Sequence, residues 1–372
     1  MADALILGGG LAGAAAAVLL SRAGKTVHLI ERETGPHHKI CGEFLSIEAR
    51  HHLVELGIDP ARLGAVPIDR VRVIAGDAQI EAKLPFTALG LSRHVLDEAL
   101  LDRAQGAGAR VERGVRVLGM DAMAVRTSHG ERSGTSILLA TGKLPVREER
   151  KDSGHKDADP YVGFKMHYRL SGPARAQLEA TVQLTLFDGG YAGLQMVEGG
   201  FANLCLIVRR SRLTRIGRSW SDLQAMLSSL PRGGEWLAEA EPLFARPVTI
   251  GNLSYGEVLR RRPDDGIFRL GDQAGMTASL TGDGMALALR SAFLAVACLR
   301  SGEDAQTYRQ RHRAEIGRQL TRAMALQRAL EQPLLRSLGV GLLRAWPGLL
   351  TYLASATRVT ERPAEHALER AL

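Results

Sequence analysis

The sequence predicts an α/β fold. A Rossmann-like dinucleotide-binding domain is interrupted by an antiparallel β-sheet domain and followed by a helical C-terminal region. Three observations predict it. An apolar strand opens the chain and runs straight into a G-x-G-x-x-G turn, Gly8 to Gly13. A second strand-and-glycine unit, Gly266 to Met285, returns near the other end. Between them lie four consecutive short strand patterns with turns such as Asp188-Gly189-Gly190.

Each element follows from its residues. Ala4-Leu5-Ile6-Leu7 is a buried-strand run. Gly8 permits the tight turn, Gly10 lets the backbone approach a pyrophosphate, and Gly13 lets the next helix pack closely. Leu11 and Ala12 begin that alanine-rich helix, whose N-terminus offers unpaired N–H groups and a positive dipole end. The second strand, Thr26 to Ile30, ends in Glu31, placed to accept a ribose hydroxyl, with Arg32 beside it. Val71–Ile74 and Ala78–Leu84 read as strands, 93–106 as a helix and Arg110–Val117 as a strand. Ile137-Leu138-Leu139 is a strand turning at Ala140-Thr141-Gly142. The inserted sheet takes Val162–Leu170, Thr181–Phe187, Ala192–Val197 and Ala202–Val208, and a helix over Ser221–Leu230 has Ser219 as its candidate cap. Gly266–Leu270 then leads into Gly271-Asp272, where an Asp at a strand end can accept a ribityl hydroxyl. Gly282, Gly284 and Met285 open a helix to about Leu299 whose N-terminus can face the flavin N1/C2=O edge. An NAD dehydrogenase does not need this second element, so the dinucleotide it points to is FAD. The organisation is 1–75, 90–160 and 263–304 for the cofactor domain, 76–89 and 161–262 for the sheet domain, and 305–372 for the helical tail.

The two motifs together resemble FAD-dependent oxidoreductases of the para-hydroxybenzoate hydroxylase fold, whose cofactor domain is glutathione-reductase-like. Gly271-Asp272-Gln273-Ala274-Gly275 with Thr281-Gly282-Asp283-Gly284-Met285 is most similar to the geranylgeranyl-reductase-like branch; aromatic hydroxylases usually carry His where Gly275 stands. Lys39-Ile40-Cys41-Gly42-Glu43-Phe44 resembles the branch's Cys-Gly element, and its Gly-Glu-Phe-Leu continuation is similar to the Gly-Glu-Ser-Leu of flavin halogenases. Ser92 to Leu100 resembles the family's R-x-x-(L/F)-D-x-x-L helix, which implies that Arg93 reaches the FAD. Ala140-Thr141-Gly142 resembles the turn beside FAD, and Cys41-Gly42 is implied to border both cofactor and substrate. The chain departs from the pattern in places. It has Thr-Gly near residue 141 where many hydroxylases have Asp-Gly, and Ser279 where the flavin-facing loop usually has Pro. Tyr191 to Met196 stands where the reductases often show aromatic-x-Trp-x-Phe-Pro, and the halogenase W-x-W-x-I-P is absent.

Composition limits the partners. With 45% hydrophobic and 24% charged residues, the 372-residue chain suits a globular enzyme with one large or two intimate domains. The net charge of +8 is spread along the chain, apart from Arg209-Arg210-Ser211-Arg212 and Arg260-Arg261-Arg262. Only 5% of residues are aromatic, which gives no stacking platform, so a nucleic-acid partner is not expected. Three scattered cysteines make neither a disulfide framework nor a metal site, and the adjacent pairs His37-His38 and His51-His52 do not share a helix face. A reduced cytoplasm is expected. The Leu-rich stretch Leu334–Ala356 is broken by Arg336, Arg344 and Pro347, so it is expected to pack on the core, with peripheral contact at the inner face of a membrane as the alternative.

No second dinucleotide fingerprint is present, so NAD(P)H is expected as a transient reductant over the flavin. The substrate is expected to be an apolar small molecule between flavin and sheet, with Phe44, Tyr161, His167, Tyr191 and Gln195 as pocket residues and Cys41 as the catalytic candidate. The first reading of the reaction is monooxygenation of a phenolic lipid or polyketide-type aromatic through a flavin C4a-hydroperoxide. The second is reduction of isoprenoid-type C=C bonds, and a non-enzymatic flavin protein is third. The hard chemistry is the cofactor's in each enzymatic case.

Overall fold

The computed structural model describes residues 1–120, 124–143, 159–253, 255, 265–356 and 358. The Arg260-Arg261-Arg262 cluster lies outside the described residues.

A seven-stranded sheet carries the cofactor domain. Ala2–Leu7 lies between Val27–Glu31 and Gly130–Leu139, parallel to both. Arg110–Arg113 and Phe268–Arg269 extend the parallel part at its two sides. Val117–Met120 and Ala124–Thr127 add an antiparallel flap. The expected single strand over 110–117 is therefore two strands, because Gly114 turns the chain at φ +76°. Leu5, Ile6 and Leu7, and Ile137, Leu138 and Leu139, are all buried. Such unbroken apolar runs are what a parallel strand covered on both faces requires. One face is covered by the helices Leu11–Arg22, Arg93–Gly106 and Gly284–Arg300, the other by the flap. Ala14 to Ala17 are fully buried; small side chains let the first helix approach its neighbours.

The second sheet has nine strands. Tyr161–Arg169, Ala202–Arg209, Gly190–Met196 and Thr181–Phe187 run antiparallel in that order. Val66–Ala75 then pairs parallel with Thr181–Phe187 and antiparallel with Ala78–Gly90. The strand 66–75 thus belongs to this sheet, and the domain limit drawn after residue 75 moves back to about 65. The one parallel pair arises because its two strands come from segments separated by the whole middle of the cofactor domain.

Period-two alternation divides this sheet's faces. Phe164, Met166 and Tyr168, with Leu194, Met196, Leu204, Leu206 and Val208, form an apolar face under the helices Arg210–Ile216 and Trp220–Ser228. Ser219 closes the second of these with a capping box to Asp222, worth about 1 kcal/mol. Lys165, His167, Gln195, Asn203, Tyr191 and Cys205 stand on the opposite face, toward the cofactor domain.

The tail begins with one long helix, Ala305–Glu331. Tyr308 donates from Oη to Arg269 O at 2.8 Å, and Arg290 pairs with Glu315. Pro333–Ala345 and Gly348–Ala356 then cross the second sheet, where Arg336 donates to Phe187 O at 3.1 Å and Thr351 to Lys83 O at 2.8 Å. No helix among the described residues is long and apolar enough to cross a membrane.

Candidate active site

The glycine turn leaves no room for side chains. A Cβ on Gly13 would lie 1.9 Å from Gly8 O, and one on Gly8, at φ +107°, would lie 2.5 Å from Ala140 O. This is how Ala140, and Thr141 and Gly142 after it, come to border the turn. Gly10 caps the helix of Leu11 and Ala12 with no side-chain bond and no acid in the first turn. Its N–H groups and positive end therefore remain open to an anion. Glu31, buried at the tip of its strand, accepts Gly9 N at 2.6 Å and Glu33 N at 3.0 Å. Arg32 points elsewhere and pairs with Glu33 at the surface.

Two cations stand over Gly10. Arg93 Nη2 would lie 3.2 Å, and Lys39 Nζ 3.5 Å, from a Cβ placed there. Asp97 holds both: Arg93 Nε at 2.6 Å and Lys39 Nζ at 2.8 Å. Burial opposes the charge on Arg93, but Asp97 outweighs it and raises the guanidinium pKa. Burial likewise opposes ionisation of Asp97, and Arg93 and then Lys39 hold its carboxyl below the usual range. Two half-buried cations on one buried carboxylate leave net positive charge beside an open helix N-terminus. The residues present fit a pyrophosphate. FAD would be held by Gly8 to Gly13 and Arg93 at this end, with Lys39 a contributor that sequence reading missed.

At the other end, Lys143 Nζ lies 3.6 Å from Asp272 Oδ2 and donates to Ile40 O at 3.2 Å. Gln273 donates to Gly142 O at 2.6 Å, which ties the two cofactor turns together. The Gly284–Arg300 helix begins at Gly284 and Met285 without a side-chain cap. The preceding turn passes through Gly282 at φ +72°, where a Cβ would lie 2.8 Å from Phe44. Burial pushes Asp283 up to about 6, against Arg358 of the tail, whose Nη1 lies 3.0 Å away.

Between the two ends runs the Cys41-Gly42-Glu43 loop, pinned by the second sheet. Glu43 is fully buried and takes φ +59°, a left-handed conformation that costs a non-glycine residue about 1 kcal/mol or more. Lys165, also fully buried, pairs with one carboxylate oxygen, which accepts Arg93 N at 2.7 Å as well; His167 Nε2 lies 2.8 Å from the other. Burial opposes ionisation of Glu43, yet Lys165 and His167 hold its carboxyl below the usual range. Gln195 donates to Glu43 O at 2.8 Å, and Asn203 to Gly42 O at 2.8 Å and Cys41 O at 3.2 Å. His38 packs edge-on to His167, and burial followed by Lys165 pushes it down to about 3. His38, Glu43 and His167 bring ligand atoms within 4.8 Å of one another, but Lys165 already supplies the positive charge that Glu43 needs.

A cavity of about 410 Å³ starts at this loop and at Asp272 and Gly282, crosses the second sheet, and ends against the tail helices. Phe44, Tyr191, Gln195 and Cys41 line it. Two expected pocket residues do not. His167 sits behind the loop on Glu43, and Tyr161 bonds to Glu331 beneath the Arg209 guanidinium, 4.0 Å from its ring. Both point from the cavity-side face of the strand Tyr161–Arg169, but the loop and the long tail helix cover them. The end of the cavity toward Asp272 and Gly282 carries two phenols: Tyr191 and Tyr255 both bond to Ser279 Oγ, Tyr255 at 3.1 Å. Burial pushes Tyr255 up to about 12 and Tyr191 well above its usual value. Burial also pushes Cys205, on the same wall, to about 12. The cavity's far end is built of aliphatic residues such as Val73, Leu184, Val340 and Leu350.

Comparison with known proteins agrees with this geometry. Residues 1–134 match the FAD binding domain family. A menaquinone reductase of Mycobacterium tuberculosis is 24% identical over 329 residues, covering 82% of this chain and 78% of that protein. A geranylgeranyl bacteriochlorophyll reductase-like protein from Thermoplasma acidophilum superposes with a TM-score of 0.70 at 19% identity, over 89% of this chain and 88% of that one. PqsL, a proposed FAD-dependent monooxygenase from Pseudomonas aeruginosa, does so with 0.71 at 18% identity, over 91% and 99%.

Proposed function

We propose that this FAD-dependent oxidoreductase reduces a C=C bond in an isoprenoid-type apolar substrate. One observation carries the reading: the cavity is mostly apolar, aliphatic toward the tail helices, and has protonated phenols at the end toward Asp272 and Gly282. FAD, when bound here and reduced by NAD(P)H, would supply the hydride for one alkene carbon. The other carbon needs a proton, and Tyr255 Oη or Tyr191 Oη holds one there, with Ser279 Oγ bridging the two for reprotonation. Cys41 and Phe44 shape the wall beside the reacting bond. The likeness to the menaquinone reductase supports a reductive reaction.

Hydroxylation, the first reading of the sequence, fits the electrostatics less well. A phenol hydroxylase gains from a base that generates phenolate. The carboxylates at this end, Glu43 and Asp272, are already paired with Lys165 and Lys143. We assign NAD(P)H as the transient reductant, since the sequence carries no second nucleotide fingerprint.

Anaerobic single turnover decides between the two. The flavin is reduced with one equivalent of NADPH or dithionite, and a geranylgeranyl lipid without a redox-active headgroup is added in the absence of oxygen. Reoxidation of the flavin, with the product gaining two hydrogens, is the expected result. Reoxidation only on admission of oxygen, with the product gaining one oxygen atom, would overturn the proposal.

A further inference from the structure

The helices Pro333–Ala345 and Gly348–Ala356 carry apolar residues on two opposite sides. On the inner side, Val340, Leu343, Leu350 and Leu353 close the cavity. On the outer side, Leu334 is 76%, Leu338 65% and Trp346 60% exposed. Leu335 and Tyr352 join them, and Leu342 is exposed where it rims the cavity, so six of the ten large hydrophobic residues exposed among the described residues fall between 334 and 352. Leu334 and Leu338, four residues apart, share one helix face away from the cavity. An exposed face of this kind on a monomer marks an interaction surface.

Charge selects the occupant. From residue 332 to residue 358 the sequence holds no Asp or Glu; Arg358 turns inward onto Asp283, which leaves Arg336 and Arg344 as the cations of this face. A second copy meeting this face by two-fold symmetry would bring arginine against arginine with no acid to balance them. An anionic lipid surface has the opposite charge and accepts the leucines and Trp346 at its interface. We infer that this pair of helices docks on an anionic bilayer surface, with the same two helices forming the wall between lipid and cavity. A bilayer-borne substrate would then pass between them into the cavity without crossing water. The expected core packing of Leu334–Ala356 accounts for the inner side only.

The test uses the FAD-loaded full chain in flotation with phosphatidylcholine vesicles, with and without phosphatidylglycerol. The protein is expected to float with the phosphatidylglycerol vesicles at low salt and to be released by high salt. The variant Leu334→Glu/Leu338→Glu should lose about tenfold or more of this binding. Its flavin spectrum and its turnover of a short, water-dispersed substrate should be retained, because neither residue lines the cavity. If the glutamates impair folding, Leu334→Ser/Leu338→Ser replaces them. Equal binding by wild type and variant overturns the inference. So does a wild-type chain that ignores vesicles but forms a dimer that the variant abolishes. Loss of vesicle binding with reduction chemistry intact, or the reverse, separates this inference from the proposed reaction.

Discussion

The cofactor cradle and the apolar cavity share the Cys41–Glu43 loop but are built by different means. The cradle is made of backbone. Its essential features are missing side chains at Gly8 and Gly13, an open helix N-terminus at Gly10 and two cations on one carboxylate. Most of it lies within forty residues of sequence. The cavity is made of side chains drawn from the second sheet, the loop over residues 276–282 and three tail helices. A backbone-built site tolerates almost no added atom, whereas a side-chain-built one can be reshaped residue by residue. That difference lets one cofactor scaffold serve many substrates.

The sharpest break of this comparison is Gly13→Val. The new Cβ has backbone oxygen 1.9 Å away and nothing flexible to displace. The purified variant should be colourless, with FAD affinity reduced more than about a hundredfold, a cost on the order of 3 kcal/mol. Absorbance of the flavin relative to protein checks it. A yellow Gly13→Val protein would mean the cradle is more plastic than its geometry allows.

Next in size is the seam itself. Glu43→Ala removes the partner of a fully buried lysine and should lower stability by about 3–5 kcal/mol, read in urea unfolding followed by CD. Glu43→Gln with Lys165→Met removes both charges and should recover most of the loss, since apolar replacement of a buried pair is often neutral. If the double variant is as unstable as the single, the pair matters through the loop's shape rather than through charge.

Legibility followed the same division. The helix Arg93–Gly106 and the strand Thr181–Phe187 carry the bounds their patterns predict, because capping and alternation are local signals. The fingerprint was readable for the same reason. Glu43 and Lys165 were missed because 122 residues separate them and each alone looks like a solvated charge. One signal was available: Lys165 and His167 stand two apart in a strand otherwise rich in apolar residues, so both face one way toward something that must neutralise a charge. Tyr161 and His167 were placed in the pocket on correct facing but without the covering elements. The loop over His167 and the long helix over Tyr161 come from distant sequence, and no periodicity encodes that docking. The exposed outer side of the tail was hidden too, since leucine at helical spacing reads as core whichever side is covered.

A pH experiment asks to which half the tail's long helix belongs. His312 is buried beside Arg290 of the cofactor domain, and burial pushes it down to about 4 from its ordinary 6.5. The unfolded chain therefore binds this proton at a higher pH than the native chain does. Stability is full above about pH 6.5 and falls as pH drops toward 4, by ~3 kcal/mol at most. His312→Gln should flatten that part of the stability–pH curve and leave FAD binding at neutral pH unchanged. An unaltered curve would show that His312 is hydrated, and that the helix is docked on the cofactor half more loosely than the bond from Tyr308 to Arg269 implies.

The smallest effect is expected at Cys41, where the two halves meet. Its Sγ accepts Glu43 N at 3.4 Å, and its side chain faces the cavity. Cys41→Ser keeps the shape and offers a better acceptor to the same N–H, so the loop and the FAD spectrum should persist with a stability change within about 1 kcal/mol. The hydroxyl also places a polar group against the alkene end of an apolar substrate, which binds less well beside an unsatisfied donor. KM for the apolar substrate should therefore rise a few-fold while kcat changes less, because the proton source in this scheme is a phenol and not the thiol. Steady-state kinetics on one polyprenyl substrate, compared with Tyr255→Phe, reads the split. If Cys41→Ser instead lowers kcat as far as Tyr255→Phe does, the thiol takes part in the proton transfer. The loop would then belong to the chemistry of the site, and the boundary drawn here between a backbone-built cradle and a side-chain-built cavity would run through Cys41 rather than beside it.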